Sequence, residues 1–265
     1  LLFFSYFFFN YGQIIFYLFY ILYKSIFINS MDDEKMKYDF NIIITTYNRE
    51  KMLKSLLDDI FKDNKYRVLV TIFDDSSDKP YDLSGYDVKY IRYVKNNGLK
   101  KLWRIIGDTF KYCQKIESTY HMYLQDDLRL KDNFFDECVR LFNKIPDDKK
   151  VTLGTLMVES QRNQKKWTNI LPVEYDGYYK TQWCELVFMC TYKFFEVLDF
   201  KMNPIPLKRW KHNPNISSGV GQQISLRILE SGYNMYHVID SLCTHGRHES
   251  QLFGDYRKQE KLIAI

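Results

Sequence analysis

From Asp39 onward, short apolar runs alternate with amphipathic stretches. Phe40-Asn41-Ile42-Ile43-Ile44-Thr45-Thr46 is β-branched through its centre, as in a strand buried on both faces. Asn48-Arg49-Glu50 then opens a segment with Met52, Leu53, Leu56, Leu57 and Ile60 three or four residues apart, which makes one apolar helical stripe. Tyr66 to Phe73 predicts a second strand ending at Asp74-Asp75-Ser76-Ser77, and Lys89 to Val94 a third. Asn96-Asn97-Gly98 turns into a helix through Leu102, Ile105, Ile106 and Phe110. An aromatic strand, Tyr120-His121-Met122-Tyr123-Leu124, then runs into Gln125-Asp126-Asp127. This alternation predicts an α/β fold, a mostly parallel sheet flanked by helices in a single domain. Right-handed crossovers gather the strand C-termini on one edge, where ligands bind. Thr46, Asp74 and Asp127 all lie at such ends.

After Pro146 the rhythm changes. Val151 to Val158 and Leu186 to Cys190 predict strands, and Tyr192 to Leu198 predicts a helix. Between them, Glu159 to Gln182 is polar, carries Trp167, Tyr175, Tyr178 and Tyr179, and reads as a long excursion rather than a regular element. Ser217-Ser218-Gly219 begins a helix through Ile224, Ile228 and Leu229 that Gly232 closes, and Tyr233 to Ile239 predicts a last strand.

Composition narrows the partners. Of 265 residues, 46% are hydrophobic and 27% charged, enough apolar material for a packed core. A net charge of +5 is mild and reads as spread along the chain, so it does not argue for nucleic acid; Lys100-Lys101 and Lys165-Lys166 read as solvated faces. The five cysteines, Cys113, Cys138, Cys184, Cys190 and Cys243, are odd in number and form no CxxC pair, which argues against zinc or a disulfide framework and fits a reducing, cytoplasmic setting. The single sequon Asn215-Ile216-Ser217 does not argue for secretion. Leu1 to Tyr23 is free of charge and long enough to span a bilayer. Two readings of residues 1–30 stand: a membrane anchor, or upstream translation ahead of a true start at Met31. The catalytic domain would occupy residues 31–265 in either case.

Each candidate site has a plainer reading beside it. A pair of acids at a strand end sits where a cation binds, and hard carboxylate oxygens suit Mg²⁺ or Mn²⁺ bridged to a phosphate. Asp127 is the first choice as direct metal ligand, with Asp126 turned to a ribose; the plain reading is a charge pair ahead of a helix. Thr46-Tyr47-Asn48-Arg49 offers backbone N–H groups to an anion or a base, or merely caps a helix. Asp74 and Asp75 can accept hydrogen bonds from a nucleoside, or form a polar turn. Gly98, Lys101 and Arg104 open a helix where a guanidinium can face a diphosphate, or solvent. His245, in Cys243-Thr244-His245-Gly246-Arg247-His248-Glu249-Ser250, is a neutral imidazole suited to Mn²⁺, or a structural histidine, with His248 a weaker candidate.

Together these segments resemble the GT-A glycosyltransferases, and among them the large family 2 of inverting enzymes. The resemblance runs from about Phe40 to Ser250. Thr46-Tyr47-Asn48-Arg49 is similar to the family's opening motif, Asp74-Asp75 to its nucleoside-binding turn, and Gly98 with Arg104 to its glycine–arginine helix start. Gln125-Asp126-Asp127 stands where the family has its DXD motif, with Gln125 in place of the first acid. His245 resembles a late metal-binding histidine. The resemblance implies a hexosyltransferase using a nucleotide-sugar donor, UDP-linked, with Mn²⁺ or Mg²⁺ and an acceptor that is a glycan, lipid, protein or nucleobase.

One departure matters. Where the family has a Glu-Asp pair supplying the catalytic base, this chain reads Gln222-Gln223, and an amide cannot take a proton at neutral pH. Glu185, in Trp183-Cys184-Glu185, is the best alternative base, with Trp183 and Gln222 left to bind the acceptor. Two other functions stay open: a nucleotidyltransferase, which would want a glycine-rich loop that Thr45-Thr46-Tyr47-Asn48 lacks, and a non-catalytic binding module derived from a transferase.

Overall fold

The computed structural model describes residues 38–62, 65–156, 175–213 and 216–245. The hydrophobic segment 1–30, residues 159–174 of the polar excursion, and His248 lie outside these. Among the described residues no helix is long and apolar enough to cross a membrane.

Ten strands and five α-helices are present among the described residues: β1 (Tyr38–Thr46), α1 (Glu50–Lys62), β2 (Val68–Asp74), β3 (Val88–Arg92), α2 (Leu102–Cys113), β4 (Ser118–Gln125), β5 (Leu128–Leu130), α3 (Phe134–Lys144), β6 (Lys150–Gly154), β7 (Tyr178–Thr181), β8 (Phe188–Cys190), α4 (Tyr192–Val197), α5 (Val220–Glu230), β9 (Asn234–Val238) and β10 (Cys243–His245). Eight strands form one sheet in the order β3-β2-β1-β4-β8-β6-β9-β7, and β10 pairs with β5 in a second.

The first half is parallel as predicted: β1 lies between β2 and β4, with Thr46 level with Asp74 and Thr45 level with Gln125. The second half is mixed, because β8 runs antiparallel to both β4 and β6 and β7 antiparallel to β9. The predicted excursion is corrected at its end, where Tyr178–Thr181 pairs as edge strand β7. Tyr178 and Tyr179 are both buried there, so aromatic side chains from a polar stretch join the core.

Strand alternation distributes the core between the two faces. Phe40, Ile42 and Ile44 pack with Leu53, Leu56, Leu57 and Ile60 of α1 and with Phe134, Phe135 and Leu141 of α3. Ile43, one position out of phase, packs on the opposite face with Ile105, Ile106 and Phe110 of α2, Phe194 and Phe195 of α4, and Ile224 and Ile228 of α5. Both faces of β1 are therefore covered, and the acidic groups Asp74, Asp126 and Asp127 gather at or just beyond the ends of β1, β2 and β4.

Two buried histidines belong to this scaffold. His121 accepts at Nδ1 from Asn41 Nδ2 (3.0 Å), so its Nε2–H, 3.1 Å from Ser118 Oγ, donates to that hydroxyl. His237 packs against Gly154, where a Cβ would lie 2.3 Å from the imidazole. Burial lowers both to about 4, so both are neutral at physiological pH.

Candidate active site

The register of β1 and β4 sets Thr46 beside Asp126, and Thr46 Oγ1 donates to Asp126 Oδ2 at 2.8 Å. Arg49, one turn past β1, reaches back so that Nη1 lies 3.0 Å from Asp126 Oδ1 and 3.0 Å from Asp127 Oδ2. The opening motif and the acidic pair are thus one cluster. Asp126 is buried, which pushes its carboxyl up to about 6 against the opposing pull of Arg49 and Thr46. Asp127 is held below the ordinary carboxylate range: burial works to raise it, but the neighbouring His245 and the charge of Arg49 prevail.

His245 arrives by a route that no sequence pattern announced. The β5 strand leaves directly from Asp127, and β10 pairs with it so that His245 faces Leu128. This puts His245 Nδ1 3.4 Å from Asp127 Oδ1. Beyond this 3.4 Å approach, Asp127 Oδ1 is buried and accepts no well-formed hydrogen bond. A buried carboxylate oxygen without a donor is costly unless a cation completes it. An oxygen and an imidazole nitrogen this close can share one divalent ion, so the residues present fit the metal that the sequence implies. Among the described residues no group of three or more His, Cys, Asp or Glu side chains converges, so this pair would rely on phosphate and water for its other ligands.

The nucleoside turn is built differently for its two acids. Asp74 is fully buried and accepts from the Ser77 backbone N–H (2.8 Å), Ser77 Oγ (2.6 Å) and the Tyr90 hydroxyl, with Arg92 Nε 3.4 Å away. Its carboxylate holds the turn. Asp75 accepts at Oδ1 from the N–H and side-chain amide of Asn97 (2.7 and 2.9 Å), and at Oδ2 from the Gly98 N–H (2.8 Å). It therefore clamps the Asn97-Gly98 loop to the end of β2. Gly98 has φ of 60°, a conformation natural to glycine. Lys101 and Arg104 follow on an exposed helical surface and form no ion pair among the described residues. Asn48, at φ 53°, joins the same turn by accepting the Asp78 N–H at 2.8 Å, and Tyr47 beside it is half-buried. Neither Thr46 nor Asn48 spends its side chain capping α1.

Sequence reading missed Tyr81 and Arg92. The Tyr81 hydroxyl accepts the Arg49 N–H at 2.8 Å and lies 2.7 Å from Ser77 Oγ and 3.3 Å from Thr46 Oγ1. It joins the first motif to the second from within a turn, where no periodicity marks it. Arg92 closes the turn from the end of β3 by donating to the Ser77 carbonyl.

The acceptor-side candidates fall on the other half of the edge. Because β8 is antiparallel to β4, with Phe188 opposite Tyr123, the chain just before β8 lies at the carboxylate end of β4. Glu185 is there, half-buried, and accepts from Trp183 Nε1 at 2.8 Å. Trp183 stands over the start of α5, 3.5 Å from where a Gly221 Cβ would be. Gln222 Oε1 accepts from Arg209 at 3.2 Å, while Gln223 exchanges two hydrogen bonds with the Asn203 backbone, at 2.8 and 3.0 Å. In place of a carboxylate pair, these amides fasten a loop.

Comparison with known proteins agrees with this geometry. The family described as "Glycosyl transferase family 2" matches residues 41–199. Search of curated proteins gives no match. Among solved structures, TarS of S. aureus is similar at 12% identity and a TM-score of 0.54, covering 78% of this chain and 36% of that one. The mannosyltransferase PcManGT from Pyrobaculum calidifontis, solved with GDP-Man and Mn²⁺, is similar at 13% identity and a TM-score of 0.52, covering 83% and 60%. These likenesses concern the fold, and the chain spans less than two thirds of the length of either protein.

Proposed function

The chain belongs to glycosyl transferase family 2, a family of sugar-transferring enzymes with the GT-A fold, and from that premise we propose that it moves a sugar from a nucleotide-sugar, UDP-linked, to an acceptor hydroxyl with the help of a divalent metal. The observation that carries the reading is the buried Asp127 Oδ1, which accepts no well-formed hydrogen bond and faces His245 Nδ1 at 3.4 Å at the C-terminal edge of β4. Asp127 and His245 would hold Mn²⁺ or Mg²⁺, which when bound supplies positive charge to a leaving diphosphate.

The chain's own residues do the rest. Thr46 and Arg49 fix Asp126, and Asp75 fixes the loop carrying Gly98, so donor-binding groups are set before a ligand arrives. Lys101 and Arg104 would supply exposed cations near that loop. On the acceptor side Glu185 would take the proton of the attacking hydroxyl, because Gln222 and Gln223 cannot. Trp183 positions Glu185 and offers an aromatic edge to a sugar.

The experiment is a Mn²⁺ titration followed by electron paramagnetic resonance, with and without UDP, on the native chain, Asp127→Asn and His245→Ala. Binding that UDP strengthens and that both variants weaken supports the reading. Equal Mn²⁺ binding by all three proteins would refute this site.

A further inference from the structure

The chain's positive charge is not spread as its sequence first suggests. Residues 200–229 contain five Lys and Arg (Lys201, Lys208, Arg209, Lys211 and Arg227) and no Asp or Glu. The remaining 33 Lys and Arg are matched by all 33 Asp and Glu, so this segment carries the entire net charge of +5. Three of the five make local contacts: Lys201 pairs with Asp199, Arg227 donates to the Leu198 and Lys201 carbonyls, and Arg209 donates one hydrogen bond from each guanidinium nitrogen, to the Ser217 carbonyl and hydroxyl and to Gln222, which leaves two of its five N–H groups. Lys208, Arg209 and Lys211 form no ion pair among the described residues. His212 lies on the same exposed turn.

Buried packing and hydrogen bonds tie the described part of this turn to the start of α5. Trp210 is buried and donates through Nε1 to the Ile216 carbonyl at 3.2 Å. Gln223 and Arg227, one helical turn apart on α5, pin the backbone on the near side at Asn203 and Lys201. Arg209 donates to the Ser217 carbonyl at 3.0 Å and to Gln222 at 3.2 Å. Its guanidinium packs so closely that a Cβ on Gly219 would lie 3.0 Å from it. The cations therefore adjoin the start of α5, where Trp183 and then Glu185 follow on the other side.

Building on the transferase reading above, we propose that the acceptor carries a phosphate and that Lys208, Arg209 and Lys211 hold it beside the accepting hydroxyl. A guanidinium held in place between two exposed ammonium groups, in a stretch without carboxylates, presents positive charge outward and suits phosphate oxygens. The Gln222-Gln223 substitution is consistent with this, since an acidic pair there would repel such an acceptor. The donor diphosphate is not the occupant, because the groups assigned to it above, a metal at Asp127 and His245 with Lys101 and Arg104, belong to the ends of β4 and β10 and to the loop after β3 with the start of α2.

The test uses the full chain and the probe glycerophosphoglycerol, with glycerol as its neutral counterpart. Binding is followed by calorimetry in saturating UDP with Mn²⁺, for the native protein and for Lys208→Glu/Lys211→Glu. Both positions are exposed, so the fold should persist, and a matching melting curve checks it. The proposal expects the phosphodiester alone to bind, at least tenfold more weakly in the variant and more weakly in high salt. A parallel arm measures sedimentation with phosphatidylcholine vesicles with and without 20% phosphatidylglycerol; selective capture there would place the phosphate on a lipid, and soluble binding alone would place it on a polymer or small molecule. No phosphodiester binding, binding displaced by UDP, or equal affinity in the variant would overturn the proposal. UDP-sugar hydrolysis without acceptor is measured on both proteins: its absence in both would count against the transferase reading while leaving the binding result to stand on its own.

Discussion

Arg49→Met should be among the most damaging single changes in this protein, and the damage should be repairable by a metal ion. The Arg49 guanidinium lies 3.0 Å from an oxygen of each of two acids, and all three side chains are largely buried. At an effective dielectric of about 20, each contact is worth roughly 5 kcal/mol of Coulomb attraction. Most of that offsets the desolvation of the three charges, so the pair is no net surplus. Removing the cation leaves the desolvation behind, and breaking such a buried group costs about 3–5 kcal/mol. For a domain of this size that corresponds to a fall in Tm of roughly 6–20 °C. The assay is urea and thermal unfolding by circular dichroism, in EDTA and again in Mn²⁺. Methionine keeps the stem's packing, so the loss reports charge. With Mn²⁺ at Asp127 a positive charge returns to the cluster, and the deficit of the variant should shrink by more than the native protein gains. A loss under about 1 kcal/mol in EDTA would refute the view that Arg49 balances the acidic pair, and a loss indifferent to Mn²⁺ would refute the placement of the ion.

Three further outcomes are expected. Asp127→Asn should lower Mn²⁺ affinity at least about tenfold with little change in Tm, because an amide is a poor ligand but a near isostere; an unchanged affinity contradicts the assignment. His121 and His237, lowered to about 4 by burial from ~6.5 in the unfolded chain, bind protons more readily when unfolded, so the stability they contribute is fully present above about pH 6.5 and is lost as pH falls towards 4, by at most ~3 kcal/mol each. His121→Asn should flatten the urea midpoint between pH 7 and 4.5, and an equally steep profile would count against it. Gly154→Ala should destabilise by about 3 kcal/mol or more, since its Cβ would meet the buried His237 ring at 2.3 Å, and a normal melting curve would show that the ring can move aside.

How much was legible in the sequence depended on whether a pattern was long enough to repeat. The strand at Phe40–Thr46, the stripe of α1 and the aromatic strand before Asp126 all announce themselves because their apolar residues keep one period. Helix α3 carries the same signal in Phe134, Phe135, Cys138, Leu141 and Phe142, behind the acidic pair. Strands β5 and β10 are three residues each, too short for any period to show, yet they bring His245 to Asp127. The antiparallel entry of β8 was equally silent, because Phe188–Cys190 is buried whichever way it runs. In the site, residue types were readable but their commitments were not. Asp74 and Asp75 look alike in sequence, and only the geometry shows one holding its own turn and the other the Gly98 loop. Arg49 offers the same lesson: from the motif it is a donor-binding cation, whereas in the fold it first answers two carboxylates.

The most direct measurement is release of nucleotide from a panel of nucleotide-sugars by the full chain, in Mn²⁺ and in EDTA, beside Asp127→Asn and Glu185→Gln. Metal-dependent release from one donor, lost in Asp127→Asn, with transfer to acceptor reduced in Glu185→Gln, is the predicted result. Release that is equally fast in EDTA, or unaffected by Asp127→Asn, would contradict a metal-assisted transferase centred on Asp127 and His245.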